Sequence, residues 1–243
     1  MIVSAKTDIG MKRSSNQDSF NYGQLDGGAV TWAVVCDGMG GMAAGNVAST
    51  TAVEVISNSF ENNLSPKSSA SAVRNLLKSS IESANARVYG MSMEDTELHG
   101  MGTTVVAVVV IKGVAYIAHA GDSRVYLYSN NELTQLTTDH SVVQTLVEKG
   151  QLTEEEAKNH PNKNVITRAL GVASYIDIDF EELEVAQGDS LLLCTDGLTN
   201  CIDDELIKLA SSDNDFETLA ERLVELANQN GGYDNITAVA VKV

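Results

Sequence analysis

The stretch TTVVAVVVI, residues 103–111, is apolar on both of its alternating faces. This pattern is typical of a strand in the middle of a sheet whose two faces are both buried. We therefore expect helices on one face of that sheet and a second sheet on the other. Short apolar runs continue from residue 102 to 136, and the turn residues between them predict a meander of antiparallel strands.

Helical patterns precede and follow the predicted meander. The predicted helices span residues 43–62, 70–89, 141–158, 204–210 and 216–228, and a last strand spans 236–241. Within the third of these helical segments, Thr153 and Glu156 have the spacing of a capping box. Because strands and helices occur in blocks, we predict a mixed sandwich of the α+β class rather than a doubly wound fold.

Length and composition indicate one compact domain that spans residues 1–243, since 43% of the residues are apolar and only two are proline. The 16 basic and 33 acidic residues give a formal charge of −17, which disfavours nucleic acids and anionic membranes as partners. The three cysteines form no Cys-x-x-Cys pair, which is typical of a reducing cytosol. The first residues show no basic start followed by an apolar stretch, so we expect no secretory signal, and the apolar run 105–111 is too short to span a bilayer. We expect a soluble cytoplasmic monomer.

Four aspartates stand where predicted strands begin or end. Asp37 and Asp196 each follow an apolar strand and precede a glycine, whereas Asp18 and Asp234 each precede a strand. In an antiparallel sheet the start of one strand lies beside the end of its neighbour. If these strands are neighbours, the four carboxylates gather at one edge of the sheet.

Carboxylates gathered in this way repel one another and raise each other's pKa, so the cluster calls for bound cations. Oxygen ligands favour Mg²⁺ or Mn²⁺, and the four histidines lack the spacing of a zinc site. The backbone carbonyl of Gly38 is a further candidate ligand, and glycine after Asp37 and Asp196 permits tight turns. The alternative is that each aspartate is an ordinary turn or cap residue.

Other phosphate and metal chemistries lack their sequence signatures. The residues six places after Cys36, Cys194 and Cys201 are never arginine, so the chain has no Cys-x5-Arg phosphate loop. It also has no Gly-x4-Gly-Lys-Ser/Thr loop for a nucleoside triphosphate. A calcium loop of alternating acidic residues with a distal glutamate is absent as well.

Six short motifs, in their order and spacing, resemble those of the bacterial metal-dependent type 2C protein serine/threonine phosphatases, the PPM family. They are RSSNQD (13–18), DGMGG (37–41), GTT (102–104), GDSR (121–124), TDG (195–197) and GYDN (232–235). The resemblance covers essentially the whole chain. It implies a four-layer αββα sandwich of two antiparallel sheets flanked by helices. It also implies hydrolysis of phosphoserine and phosphothreonine by metal-activated water at a binuclear Mg²⁺ or Mn²⁺ centre.

The resemblance further implies roles for individual residues. The implied metal ligands are Asp18 (directly or through water), Asp37, the Gly38 carbonyl, Asp122, Asp196 and Asp234. Asp37 is implied to bridge the two core ions, Asp122 and Asp196 to hold a third ion, and Arg13 to hold the substrate phosphate. Considered without the family, Asp122 also fits a turn residue and Arg13 a solvated surface residue. We favour a phosphate contact for Arg13. It stands five residues before Asp18, from where its planar guanidinium could point at a phosphate bound at the metals.

One position departs from the family pattern, since many bacterial members carry histidine where this chain has Met42. A proton-donor role for that histidine is therefore lost. Arg124 is expected to be structural and His119 a core histidine. Residues 140–176 are expected to form a flap that selects substrates, and the implied partners are phosphorylated proteins, including a Ser/Thr kinase. A non-catalytic binding module and a hydrolase of small phosphate esters remain as alternatives.

Overall fold

The computed structural model of the protein describes residues 1–41, 44–212 and 215–243. The strands are β1 (Ile2–Asp8), β2 (Asp18–Leu25), β3 (Val30–Met39), β4 (Gly102–Thr103), β5 (Val105–Ile111), β6 (Val114–Ala120), β7 (Arg124–Ser129), β8 (Glu132–Gln135), β9 (Asp179–Glu184), β10 (Ser190–Cys194) and β11 (Ile236–Lys242). The helices are α1 (Ala44–Asn63), α2 (Ala70–Glu94), α3 (Val142–Glu148), α4 (Glu154–Lys158), α5 (Asp196–Thr199), α6 (Asp204–Ser211) and α7 (Leu219–Gln229).

The strands form two antiparallel sheets, which we name the β5 sheet and the β10 sheet. The β5 sheet has the strand order β2-β3-β5-β6-β9, with β4 paired to β3, and the β10 sheet has the order β1-β11-β10-β7-β8. Apolar residues of both sheets meet in a core between them, which includes Val35, Val108 and Leu193. Helices α1 and α2 cover the outer face of the β5 sheet, and α6 and α7 cover that of the β10 sheet. The predicted four-layer αββα sandwich is confirmed.

Strand β5 lies in the middle of its sheet, as its sequence predicts. All seven of its residues are buried. Val106 and Val108 belong to the core between the sheets, whereas Val105 and Val109 belong to the core beneath α1 and α2. Because successive side chains of a strand point to opposite faces, a run that is apolar on both faces serves two cores.

The helix predictions agree with the structure except at their ends. Helix α2 starts at the predicted residue, where the Ser69 hydroxyl accepts a hydrogen bond from the Ala72 amide at 3.2 Å, and it continues to Glu94. The predicted start of the first helix, residue 43, lies outside the described residues. In the described part of the chain, no helix is long and apolar enough to cross a membrane.

The segment predicted as helical at 141–158 forms two short helices, α3 and α4. Gly150 adopts a φ of 66° directly after the cap residue of α3, and this left-handed conformation ends the helix. The capping box of Thr153 and Glu156 is confirmed at the start of α4. Helix α7 also begins later than predicted, at Leu219 instead of residue 216.

The prediction of one continuous meander is wrong. Strands β5 and β6 pair in the β5 sheet, but β7 and β8 belong to the β10 sheet, so the chain changes sheets at residues 121–123. Apolar alternation identifies a strand but does not specify which of two similar sheets it joins. The pattern also fails to indicate β1, most of whose residues are half-buried, although β1 pairs with β11 along its whole length.

Removing a side chain from the core between the sheets should destabilise the protein strongly. Leu193 is fully buried there, so Leu193→Ala is expected to lower the free energy of unfolding by about 2–5 kcal/mol. The matched control is Leu209→Ala in α6, where the side chain is 69% exposed and the expected change is below about 0.5 kcal/mol. Urea unfolding followed by Trp32 fluorescence compares the two variants. Equal losses would contradict the location of this core.

Candidate metal centre

The four aspartates at strand ends do gather at one end of the sandwich, but they come from two sheets. Asp18 and Asp37 are direct cross-strand partners in the pairing of β2 with β3. Strand β10 pairs with β11, so Asp196, just after β10, and Asp234, just before β11, lie at the same end of the other sheet. The expectation of a single sheet edge is therefore wrong. Opposite strand directions are consistent with four neighbouring strands in one sheet. They are equally consistent with two pairs of strands, one pair in each of two facing sheets.

Asp18 links the two sheets through side-chain hydrogen bonds. Its Oδ2 accepts hydrogen bonds from the Thr195 hydroxyl at 2.9 Å and from the Thr237 hydroxyl at 2.7 Å. Both threonines belong to the β10 sheet side, whereas Asp18 opens β2. Its other oxygen, Oδ1, is buried and has no hydrogen-bond partner among the described residues. A buried carboxylate oxygen without a donor fits a position that faces a bound cation.

A small cleft opens beside these carboxylates. Its volume is about 260 Å³, which suits a phosphate group better than a large ligand. It is lined by Arg13, Gln17, Asp37, Gly38, Met39, Gly40, Thr104, Asp122, Asn164, Ile166, Asp196, Asp234 and Asn235. The structure therefore brings Arg13 and Asp122 to one place with Asp37, Asp196 and Asp234, whereas Asp18 does not line the cleft.

Four carboxylates of this centre have raised pKa values, those of Asp18, Asp37, Asp122 and Asp196. Burial, together with the charges of Asp196 and Asp234, raises the pKa of Asp18 to about 7 despite its two hydroxyl donors. Burial raises the pKa of Asp122 to about 8, with a further contribution from the charge of Asp196. The pKa of Asp37 is raised well above its usual range by burial and by the neighbouring carboxylates, and that of Asp196 is raised in the same way. Turn and cap aspartates are solvated or hydrogen-bonded to amides, so this pattern favours a cation site.

The glycines that follow Asp37 and Asp196 are required by close packing and not by turn geometry. Neither Gly38 nor Gly197 has a positive φ, and Gly38 lies within β3. A Cβ on Gly38 would overlap the Gly45 carbonyl in the first turn of α1. A Cβ on Gly197 would overlap the Asn235 carbonyl. The expectation of tight turns at these positions is therefore wrong, because the constraint is a close approach of backbone segments.

Arg13 lies at the cleft, beside the aspartates. Its Nη2 donates to Asp234 Oδ2 at 2.6 Å, and this hydrogen bond raises the pKa of Arg13 further. The side chain remains 53% exposed, so donors of the guanidinium face the open side of the cleft. Arg124, in contrast, uses its fork on Asp139, with distances of 2.9 and 2.8 Å, in agreement with the structural role expected for it.

Three polar residues that sequence reasoning left without a role hold the centre in place. The side-chain oxygen of Asn235 accepts a hydrogen bond from the Gln17 backbone amide. Its side-chain nitrogen donates to two backbone carbonyls of the loop that carries Arg13. Thr104 Oγ1 accepts from the Asp37 amide at 2.9 Å, and Asn200 donates to Asp196 Oδ2 at 2.9 Å. Asn235 and Thr104 stand inside the GYDN and GTT motifs, so motif membership was the available signal for them.

His119, His140 and Asp179 form a second cluster, in which potential ligand atoms lie within 4.8 Å of one another. The Gly121 amide donates to His140 Nδ1 at 3.1 Å, which places the histidine proton on Nε2, facing Asp179. Arg168 supplies a positive charge to the same carboxylate at 2.6 Å. A metal ion would have to displace both the proton and the guanidinium, so we interpret this cluster as a structural polar cluster. His119 is 2% exposed, in agreement with the core position expected for it.

Comparison with known proteins identifies the family. Residues 11–239 match the family model described as Protein phosphatase 2C. The chain belongs to this family. It is therefore an enzyme, a protein phosphatase, and the family is metal-dependent.

Similar proteins align with this phosphatase along nearly its whole length. A putative protein phosphatase 2C-type of Streptococcus pyogenes is 40% identical, covering 99% of this chain and 97% of the relative. The serine/threonine phosphatase of S. agalactiae has a solved structure with a TM-score of 0.92 and 38% identity, covering 100% of this chain and 99% of that one. The catalytic domain of PstP, solved with two manganese ions, has a TM-score of 0.87 and 33% identity, covering 99% and 97%.

The phosphatase treated with a chelator should become less stable as the pH rises. The folded-state pKa values of Asp18 and Asp122, about 7 and about 8, lie above the ordinary value of 3.8. Between the ordinary and raised values the folded state binds more protons than the unfolded state, so its stability falls with rising pH. Each fully affected group contributes a slope of about 1.4 kcal/mol per pH unit.

Saturating Mn²⁺ should raise the melting temperature and weaken this pH dependence, because a bound cation replaces the protons that offset carboxylate repulsion. Thermal unfolding between about pH 6 and 8, with chelator and with Mn²⁺, tests both expectations. A melting temperature that Mn²⁺ leaves unchanged would contradict a metal centre at these residues.

Proposed function

We propose that this phosphatase hydrolyses phosphoserine and phosphothreonine in proteins at a binuclear centre that takes Mg²⁺ or Mn²⁺. The observation that carries this proposal is the convergence of buried, mutually repelling carboxylates from two sheets beside the half-exposed Arg13. The relatives named above support the choice of substrate, since the S. agalactiae protein and PstP are both described as serine/threonine phosphatases.

Within this centre we assign the bridging position to Asp37. The pKa of its carboxyl group responds to the charges of four other aspartates, Asp18, Asp122, Asp196 and Asp234, which supports a central location. The Gly38 carbonyl serves the first core ion, and Asp196 with Asp234 serves the second. Asp18 contributes directly or through water.

A third ion at Asp122 and Asp196 completes the proposed metal set. Asp122 is 9% exposed, and the charge of Asp196 is the largest contribution to its raised pKa after burial. A turn residue without a ligand function would have no reason to bury its carboxylate beside another one. This supports the ligand role for Asp122 over the turn interpretation.

The bound ions supply a nucleophile at neutral pH by lowering the pKa of water, and they neutralise the charge of the phosphate. Arg13 orients the phosphate with the donors of its guanidinium that its bond to Asp234 leaves available. The chain offers no thiolate as a rival nucleophile at its buried cysteines. Burial raises the pKa of Cys194 to about 12 and that of Cys36 further still, so both thiols stay protonated. Water held at the centre would then be the nucleophile, and the reaction would need no covalent intermediate.

The finer biological assignments follow from the family and the charge. We propose that residues 1–243 act as a single catalytic domain and as a monomer in a bacterial cytosol, on phosphoproteins that include a Ser/Thr kinase. The bacterial origin of the relatives supports this setting. The net charge of −17 supports the exclusion of nucleic acids and anionic membranes as partners. Residues 140–176 act as the substrate-selecting flap, and Asn164 and Ile166 of this segment line the cleft.

Asp196→Asn should abolish most activity without unfolding the protein. It removes a charged metal ligand but keeps the shape of the side chain, so the loss is expected to exceed the roughly 100-fold typical of outer-shell changes. The assay measures hydrolysis of a phosphothreonine peptide and of p-nitrophenyl phosphate with Mn²⁺, Mg²⁺ or chelator. Asp203→Asn is the matched control, because Asp203 caps α6 and asparagine caps equally well.

Three outcomes separate the candidate functions. Activity that requires metal and is lost only in Asp196→Asn supports the proposal. Hydrolysis of the small ester without the peptide would favour an esterase of small phosphates. No turnover by the folded wild-type protein with either metal would overturn the enzymatic proposal and favour a binding module.

Arg13→Ala should weaken the handling of phosphate specifically. A charge-assisted hydrogen bond is worth about 1.5–3 kcal/mol, so kcat/KM is expected to fall by about 10- to 100-fold. Inorganic phosphate should also become a weaker product inhibitor. Arg13→Lys keeps the charge without the planar guanidinium, so its kcat/KM should lie between those of the wild type and Arg13→Ala. Unchanged phosphate inhibition in Arg13→Ala would contradict the assignment.

A further inference from the structure

The segment that contributes Asn164 and Ile166 to the cleft has a narrow base. The Val142 amide donates to the Val165 carbonyl at 2.9 Å, and Ser141 forms an isolated bridge with Ile166. The Thr167 amide donates to the His140 carbonyl at 2.7 Å. Residues 141–167 therefore leave and re-enter the sandwich at a single point, and His140 marks that point.

His140 is tied by two hydrogen bonds to the turn that carries Asp122. Its amide donates to the Gly121 carbonyl at 2.9 Å, and its Nδ1 accepts from the Gly121 amide at 3.1 Å. The His140 side chain is only 6% exposed, and its ring stacks on that of His119 at a centroid distance of 4.6 Å. The position of Gly121, and with it the backbone next to Asp122, depends on this histidine.

Asp179, at the start of β9, holds both sides of the same base. Its Oδ2 accepts from His140 Nε2 at 3.1 Å, and its Oδ1 accepts from Arg168 Nη1 at 2.6 Å. His140 precedes the segment and Arg168 follows it. The Asp179 carboxylate, fixed to the β5 sheet, therefore connects the two ends of the segment. It accepts from the neutral ring of His140 on one side and from the guanidinium of Arg168 on the other.

We propose that His140 and Asp179 are positioning residues that fix the wall of the cleft relative to the turn bearing Asp122. This inference rests on the proposed function, because it concerns the substrate that the cleft accepts. Residues 141–167 then act as a wall held at a set distance from the metal centre, and protein substrates contact it beyond the phosphate. A small phosphate ester reaches the centre without using most of that wall.

Asp179→Asn tests the role of the tie. The Asp179 side chain is 48% exposed, so the isosteric change opens no core, but it removes the negative charge and one of the two oxygens that accept from His140 and Arg168. The ratio of kcat/KM for the peptide to kcat/KM for the small ester is expected to fall by about tenfold, which is the lower end for changes in groups that orient a site. The fall should come mainly from a higher KM for the peptide. Amide hydrogen exchange in residues 142–167 should accelerate. Asp179→Glu, which keeps the charge, should restore most of the ratio.

Glu182→Gln is the matched control. Glu182 stands on the same strand and forms an ion pair of the same length, 2.6 Å, but with Arg74 of α2. Its loss should leave both the ratio and the exchange of residues 142–167 unchanged.

Each outcome decides the inference. A lower ratio together with faster exchange in Asp179→Asn alone supports it. Faster exchange with an unchanged ratio, unchanged exchange, or the same effects in Glu182→Gln would overturn it. If the wild-type protein hydrolyses neither substrate, the proposed function itself fails, whereas hydrolysis of the peptide with an insensitive ratio refutes only the positioning role.

Discussion

The repulsion between buried carboxylates is the constraint on which this structure depends. Burial and the charge of Asp196, from the other sheet, raise the pKa of Asp18, and burial with the charges of Asp18 and Asp196 raises that of Asp37. Burying like charges opposes folding, so the stabilisation has to come from elsewhere in the molecule. The three apolar cores supply it. Strain of this kind is typical of sites in which function and stability conflict, and bound cations would relieve it.

The two-sheet arrangement explains how the centre stays rigid although its ligands come from distant parts of the chain. Thr195 and Thr237 donate hydrogen bonds to Asp18 across the sheets, so a candidate ligand of one sheet is held by donors of the other. Gly38 lets α1 approach β3 at the Gly45 carbonyl, which leaves no room for a side chain. A sideways movement of one sheet relative to the other would break the hydrogen bonds to Asp18. The close-packed core between the sheets resists such a movement.

The polar residues around the centre form two connected groups with different tasks. Asn235 ties the Arg13 loop to the start of β11, so the candidate phosphate-binding group and the candidate ligand Asp234 move together. The Thr104 hydroxyl accepts from the Asp37 amide and lies 2.7 Å from the hydroxyl of Ser123, the residue after Asp122. His140 bonds to Gly121 on the other side of Asp122 and so connects this group to the segment that lines the cleft. The candidate metal ligands, the candidate phosphate contact and the cleft wall are thus linked through hydrogen bonds and not through a single element.

The sequence alone determined the local properties of this protein. The two-sided apolar run of β5 identified a central strand with cover on both faces, and the position of Asp37 and Asp196 at the ends of apolar runs identified candidate ligands at one end of the sandwich. Only the tertiary structure decided which sheet β7 joins, that the aspartates come as two pairs, and that the glycines after them serve close packing. The physical reason is that alternation encodes burial and direction within one strand. The choice of partner depends on contacts between residues far apart in the chain, and no local pattern records them.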